Sequence, residues 1–311
     1  MFRRADLRLA AAGAVLLAAT SLMPGWLLVL AATALAKGIV ALGLLLLMRA
    51  GLVPFGQAMF YCLGGYAAGL GSLWLGIRDV LLLLLLAGLA AGAAGWVVGL
   101  LIRRYRGIFF AMLSMAFSMI LYGVLLKSQD LGSSDGFSVP RPTLLGLTMT
   151  GTPALRILFA VTVLLTVLLA WGVSAYLRTA MGQIGPAIRQ NEVRVSYLGY
   201  EPDRLIHREY AASGLLAGVA GALVAMLVGQ VDPGMGFWMT SGEFVFIAIL
   251  AGTGGIWGSL GAAFILEAVH AIAFDVAPTY WRLILGGTLL VMILRFPAGL
   301  SSLAPRRVRR A

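Results

Sequence analysis

Six consecutive leucines, residues 81–86, lie inside a 23-residue stretch (80–102) that contains no charged side chain. As a helix, such a stretch has no face suited to water. It is long enough to cross a bilayer's hydrocarbon core, which takes about 20 apolar residues. In lipid only a helix or a closed barrel satisfies every backbone group. Comparable apolar runs recur along the whole chain. Of its 311 residues 61% are hydrophobic and 11% charged, with a mean hydropathy of +0.97, whereas a soluble domain carries about 25% charged residues. The chain is therefore read as an all-α polytopic integral membrane protein, with residues 1–311 forming one transmembrane domain.

Spans are expected at 7–23, 26–48, 52–75, 80–102, 108–126, 154–177 and 210–230, followed by a glycine-interrupted stretch at 242–274 and a last span at 281–296. The start resembles a signal peptide, with Arg3, Arg4 and Arg8 before an apolar run, but further apolar segments follow at once and a retained first helix is expected. The net charge of +11 is not a nucleic-acid footprint, because the basic residues lie in short connections and at the termini. With the amino terminus in the cytoplasm, Arg49, Arg103, Arg104, Arg106, Arg178, Arg189, Arg194, Arg204 and Arg208 fall inside, with the tail residues Arg306, Arg307, Arg309 and Arg310. Only Arg78, Lys127, Arg141, Arg156 and Arg282 fall outside, which is the positive-inside bias. Both termini are then cytoplasmic. The crossing count is eight or ten, and ten if the chain breaks near 252–258.

Two stretches, 51–71 and 242–261, are rich in glycine and begin on opposite sides of this topology. Broken segments at matching places in oppositely oriented halves point to an inverted repeat around a central path; close packing through small residues gives the same composition. Buried ionisable residues are costly in a membrane and mark function or a fixed partner. Lys37 lies mid-span, and Glu243 opens the broken segment within Thr240-Ser241-Gly242-Glu243, a sequence that also fits a helix capping box. Gln57 follows Pro54 and Gly56, which loosen the helix and free carbonyls. Glu267 and His270 have Glu-x-x-His spacing, but His207 is the only other histidine, too few for a di-metal carboxylate site; the two are expected to bond each other or a neighbouring helix. The single cysteine, Cys62, allows no intrachain disulfide. No Gly-x-x-x-x-Gly-Lys phosphate loop is present, so ATP hydrolysis by that route is not expected of this chain.

The largest inner segment, 178–208, is densely charged and suits docking of a soluble partner. Residues 184–192 are expected to form a short helix with Pro186 in its first turn and Arg189 and Glu192 one turn apart; Gly199 and Pro202 stop it and turn the chain back. A charged docking loop and few buried acids favour movement of a solute driven by a separate ATPase over a proton-coupled carrier. A self-sufficient secondary carrier or channel is the alternative.

An ordered set of motifs over roughly residues 35–300 carries a resemblance: ALG at 41–43, GLVPFGQAMF at 51–60, GGY at 64–66, FAMLSMAFS at 110–118, GSSDGF at 132–137, TAMG at 179–182, AIRQNE at 187–192, LGY at 198–200, AGVAGAL at 217–223, SGE at 241–243 and GTGGIWG at 252–258. Together they resemble the branched-chain amino acid ABC permease family, of the LivM-like type. The resemblance implies one of two different permease subunits in an importer of a bacterial inner membrane, working with two ATPase subunits and a periplasmic solute-binding protein. ATP and magnesium would be held by the ATPases, with no cofactor in this chain. It also implies a solute path near Gln57, Ser114, Ser118, Glu243 and Lys37, and a coupling element carrying Ile184, Pro186, Ile188, Arg189, Glu192 and Arg194. The chain departs from the family's pattern at 44–45, 48–49 and 56–58. The solute class therefore stays open among branched-chain amino acids, urea, amides and aromatic carboxylates.

Overall fold

The computed structural model describes residues 4–144, 147–148, 151–295 and 299–300; the basic tail with Arg306, Arg307, Arg309 and Arg310 lies outside them. Among the described residues the protein is an all-α bundle. Its helices are α1 (Arg4–Ala19), α2 (Gly25–Arg49), α3 (Gln57–Trp74), α4 (Val80–Ile102), α5 (Gly107–Lys127), α6 (Gly151–Arg178), α7 (Ala180–Gln190), α8 (Glu192–Tyr197), α9 (Pro202–Val228), α10 (Trp238–Ala251), α11 (Ile256–Val276) and α12 (Trp281–Arg295). Among the described residues six of these (α2, α4, α5, α6, α9 and α11) are long and apolar enough to cross a membrane, and α1, α10 and α12 hold shorter apolar stretches. The protein is thus a multi-pass membrane protein, and the chain breaks at 252–255, within the 252–258 break expected from the sequence.

α9 is the axis of the bundle. It packs along α2, α3 and α4, and its middle is buried almost continuously from Leu216 to Ala222. Lipid tails are as apolar as leucine, so van der Waals fit between backbones has to supply the association. Small residues allow that fit: a Cβ on Gly64 of α3 would lie 2.0 Å from the Gly218 carbonyl oxygen, and one on Gly221 would lie 1.8 Å from the Tyr61 carbonyl oxygen. In contrast, α4 leaves Leu81, Leu82, Leu85, Leu89 and Val97 exposed on its outer side, as a lipid-facing or subunit-facing surface requires.

The two ends of the bundle differ. At one end Asp79 caps α4 by accepting from the amides of Leu81 and Leu82 at 2.9 and 3.4 Å. Two short antiparallel pairs lie there, β1 (Phe137–Ser138) with β4 (Gln230–Val231) and β2 (Thr143–Leu144) with β3 (Leu147–Thr148). Asp79 also bridges to Thr143. At the other end are Arg49, the α4–α5 turn with Arg103, Arg104 and Arg106, and α7–α8. Among the described residues, the basic side chains assigned to the inner side by charge therefore share one end of the fold.

α10 has 14 residues, about 21 Å at 1.5 Å per residue, short of the roughly 30 Å of a hydrocarbon core. α11 runs antiparallel to α2: Gly38 faces Leu260 and Ala263, while Thr33 faces Glu267.

Candidate functional site: two helix starts meeting in the bundle

The chain leaves α2 at Arg49, turns back at Gly51 (φ +83°) and passes through 52–56 without regular structure before α3 starts at Gln57. It leaves α9 through Gly229, passes through β4 and a single 3-10 turn at Pro233–Gly236, and starts α10 at Trp238. Both short helices thus begin after a stretch of irregular backbone that enters from opposite ends. Such backbone survives at membrane depth only if protein groups satisfy it. Two serines of α5 do so. The Phe55 amide donates to Ser114 Oγ at 3.0 Å, and Ser118 Oγ donates to the Gly236 carbonyl at 2.8 Å.

The two helix starts meet directly. The first amides of any helix lack intrahelical acceptors. Here Ser241, in the first turn of α10, accepts from the Ala58 amide of α3 at 3.0 Å, so one broken helix caps the other. Gln57 sits at this junction with no exposed surface, and neither its amide nitrogen nor its amide oxygen has a hydrogen-bond partner. A buried amide left unsatisfied costs about 1–3 kcal/mol. The positive ends of two helix dipoles and a free amide therefore converge at one point.

Beside the junction lies a charged cluster. Lys37 Nζ of α2 is 2.8 Å from Glu267 Oε2 of α11 and 3.4 Å from Glu243 Oε2 of α10, and Thr33 Oγ1 donates to Glu267 Oε1 at 3.2 Å. Side-chain exposures are 14–19%. Two carboxylates share one ammonium, tying together α2, α10 and α11. The capping box expected at Thr240–Glu243 does not form. α10 begins two residues before Thr240, whose hydroxyl donates to the Gly234 carbonyl at 3.1 Å, and Glu243 is drawn to Lys37. Glu267 and His270 do not bond each other: Glu267 holds Lys37, and His270 stacks on Trp281 with ring centroids 4.7 Å apart.

At the basic end, Thr179 caps α7 by accepting from the Gly182 amide at 3.2 Å, and Asn191 caps α8 by accepting from the Arg194 amide at 2.9 Å. Arg106 clamps this pair to the bundle. Its Nη2 lies 2.6 Å from Glu192 Oε1 and 2.6 Å from Asp203 Oδ1, and its Nε donates to Glu192 Oε2 at 3.0 Å. Partial burial disfavours the Arg106 charge, but the hydrogen bonds to the two acids outweigh it and its pKa is raised.

Comparison with known proteins decides the family. The model of the family described as "Branched-chain amino acid transport system / permease component" matches residues 26–294. The chain belongs to this permease family. The permease is 30% identical over 272 residues to the high-affinity branched-chain amino acid transport system permease protein LivM of Escherichia coli (strain K12), covering 80% of this chain and 64% of the relative. It is 25% identical over 264 residues to BraD of Pseudomonas aeruginosa, covering 80% and 86%, and 24% identical over 263 residues to LivH of Salmonella typhimurium, covering 78% and 83%. The chain spans just under two thirds of the length of its LivM relatives. No solved structure matches the permease.

Of the path residues named from the sequence, the fold brings Gln57, Ser114 and Ser118 to the α3–α10 junction, and Glu243 and Lys37 to the charged cluster. Ser241 and Glu267 lie beside them: Ser241 falls inside the sequence that fits a capping box, Glu267 has Glu-x-x-His spacing with His270, and neither pattern points to the partner found in the fold, the Ala58 amide and Lys37. In the basic-end element three expectations are corrected. Thr179 starts α7 at Ala180 rather than at Ile184, so Pro186 is the seventh residue of the helix, not in its first turn, and removes the amide that would bond the Gly182 carbonyl. Asn191 separates Arg189 from Glu192 into two helices, and Glu192 pairs with Arg106 instead. Pro202 does not end a helix: it opens α9, eight residues before the span expected from Tyr210. Ile184 and Ile188 form a small core with Val195 and Leu205, while Arg189 and Arg194 are exposed. Large apolar groups left exposed there are Val193 (63%), Tyr197 (88%) and Leu198 (70%).

Proposed function

We propose that the permease is one of two homologous membrane subunits of an ATP-driven importer. In this reading it takes up a branched-chain amino acid or a related small polar solute across a bacterial inner membrane, with both termini cytoplasmic. The observation that carries it is the meeting of the α3 and α10 starts around the unpartnered Gln57 amide. Discontinuous helices whose N-termini converge on a buried point are how many transporters present a transient polar site to a solute. The Gln57 amide supplies one donor pair and one acceptor that the closed bundle leaves unused, and a passing solute or its water would satisfy them. Ser114, Ser118, Glu243 and Lys37 sit around this path. ATP and its magnesium belong to two separate ATPase subunits, and a periplasmic solute-binding protein delivers the solute.

The basic end supplies the coupling element, 178–208. α7 and α8 are a rigid unit, closed on the inside by Ile184 and Ile188 and clamped by Arg106 to α9. Val193, Tyr197 and Leu198 are exposed among the described residues, and with Pro186, Arg189, Glu192 and Arg194 they form the surface that meets an ATPase. A force applied to α8 passes through Glu192–Arg106–Asp203 to the α4–α5 turn and the start of α9.

Reconstitution into vesicles with and without the ATPases and the binding protein tests the reading. ATP-dependent uptake requiring all partners is expected; uptake by this chain alone on a proton or sodium gradient would establish the secondary-carrier alternative. In the complete assembly, Tyr197→Ala with Leu198→Ala is expected to lower solute-stimulated ATP hydrolysis at least about tenfold, the loss of two exposed hot-spot side chains. The variant's own melting temperature should stay near wild type, since both side chains are exposed. Unchanged stimulation would remove α8 from the coupling surface.

A further inference from the structure

At the basic end the bundle holds a second cavity system, separate from the central junction and from α8. An apolar groove of about 420 Å³ lies between α1, α2, α6 and α11, lined by Leu9, Leu16, Val163, Val167, Leu260 and Phe264 among others. A neighbouring cavity of about 280 Å³ is lined by Arg49, Ser174, Arg178 and the Gly254–Gly255 turn. Leu9 and Trp257 line both, so the two spaces adjoin. Along α1 the groove runs from Leu9 to Leu16, seven residues or about 10 Å, away from the basic end and toward the middle of the bundle.

The chemistry of the two parts differs. Among the described residues that line them, neither part carries an acid. Arg49 Nε is buried with no hydrogen-bond partner, and the acid close enough to act on its charge is Glu209, which lines neither part. Arg178 reaches Ser174 Oγ at 2.7 Å and lines the same cavity. α11 starts there with Gly255 before its first residue and no side chain capping its first amides, an arrangement that favours an anion. Trp171 and Trp257 border the charged part, the depth at which tryptophan collects in membranes.

We propose that this paired cavity binds one anionic phospholipid from the leaflet at the basic end. Its phosphate sits against Arg49, Arg178 and the start of α11, and one acyl chain lies in the groove between α1, α6 and α11. The match is one of charge and shape. Among the described lining residues, positive groups stand only at the mouth, and an apolar slot leads inward from them, which is the layout of a single amphiphile. Basic pockets between membrane helices are known to take lipid headgroups. A soluble anion would use the mouth and leave the slot empty; a second protein chain would have no need of the two arginines.

Lipid binding to the delipidated full-length permease in detergent tests this, read by native mass spectrometry during titration. The probes are dioleoylphosphatidylglycerol, dioleoylphosphatidylcholine and glycerol phosphate. Phosphatidylglycerol should bind about thirtyfold more tightly than phosphatidylcholine, with about fivefold for each of two basic side chains. Arg49→Gln with Arg178→Gln should bring the two lipids level. Gly261→Leu supplies an independent arm that leaves both arginines in place. Gly261 lines the groove, and a Cβ there meets nothing within 4 Å, so the leucine fills the slot and should weaken both lipids at least tenfold with unchanged helix content. Equal binding of the two lipids by the wild type would overturn the proposal. So would wild-type lipid binding by Gly261→Leu, or glycerol phosphate displacing phosphatidylglycerol at equal concentration, which marks a free-anion site. A change of oligomeric state in Gly261→Leu without a change in lipid binding would make the groove a protein contact and overturn it as well.

Discussion

Lys37→Met is expected to destabilise the permease by about 3–5 kcal/mol, the cost of removing one partner from a buried ion pair. The substitution keeps the length and the apolar stem, so packing changes little. Its effect is to leave Glu243 and Glu267 facing each other without the ammonium that lies 3.4 and 2.8 Å from them. Thr33 still donates to Glu267, but one hydroxyl does not neutralise two carboxylates. The triple variant Lys37→Met, Glu243→Gln, Glu267→Gln carries no net charge at the cluster and should recover most of the loss, because neutral replacement of an entire buried pair is often tolerated. Thermal unfolding in detergent measures both. A single variant as stable as the wild type would show that the cluster does not hold α2, α10 and α11 together.

Gly221→Val is expected to prevent α3 and α9 from packing, with a loss of more than about 3 kcal/mol, at or beyond the upper end for overpacked sites. The nearest obstacle to the new Cβ is the backbone oxygen of Tyr61 at 1.8 Å, not a side chain that can rotate away. Relief requires the two helices to separate, and α9 is the axis on which α2 and α4 also rest. Gly172→Ala is the matched control. It lies inside α6, a Cβ there meets nothing within 4 Å, and alanine gains up to about 1 kcal/mol of helix propensity. The fraction of folded, monodisperse protein after purification distinguishes them; equal yields and melting temperatures would refute the close-packing account.

The apolar spans are legible in the sequence because a membrane permits few alternatives: the leucine run at 81–86 predicts α4 to the residue, and the glycines at 252–255 predict the break between α10 and α11. The local chemistry of broken segments is also legible, since Pro54 and Gly56 mark the irregular approach to α3. Contacts between distant segments are less so. Lys37 and Glu267 meet only because α2 and α11 run antiparallel, and a single sequence does not encode that pairing in any local pattern. Ser241 was hidden for a related reason: its role is to cap another helix, whereas its neighbours suggested a cap for its own. At the basic end, apolar residues at helical spacing normally signal a core. Ile184 and Ile188 obey that rule, while Val193, Tyr197 and Leu198 break it; only the fold shows which face is covered. Pro186 suits a first turn by preference, but the Thr179 cap about two turns earlier overrides it.

The measurement that tests the central claim most directly is the accessibility of residue 57. Cys62 is the chain's single cysteine and is buried, so Cys62→Ala gives a cysteine-free background for Gln57→Cys. In the assembled complex, a membrane-impermeant thiol reagent is applied with no nucleotide, with ATP held unhydrolysed, and during turnover with solute, with Leu22→Cys as the exposed reference. If the α3–α10 junction is the point where the path opens and closes, residue 57 is protected in one of these states, as its complete burial here requires, and labelled in another. A cysteine at 57 that stays unlabelled in every nucleotide state, while the reference reacts in all of them, would contradict the account and leave the junction as a fixed part of the helix core.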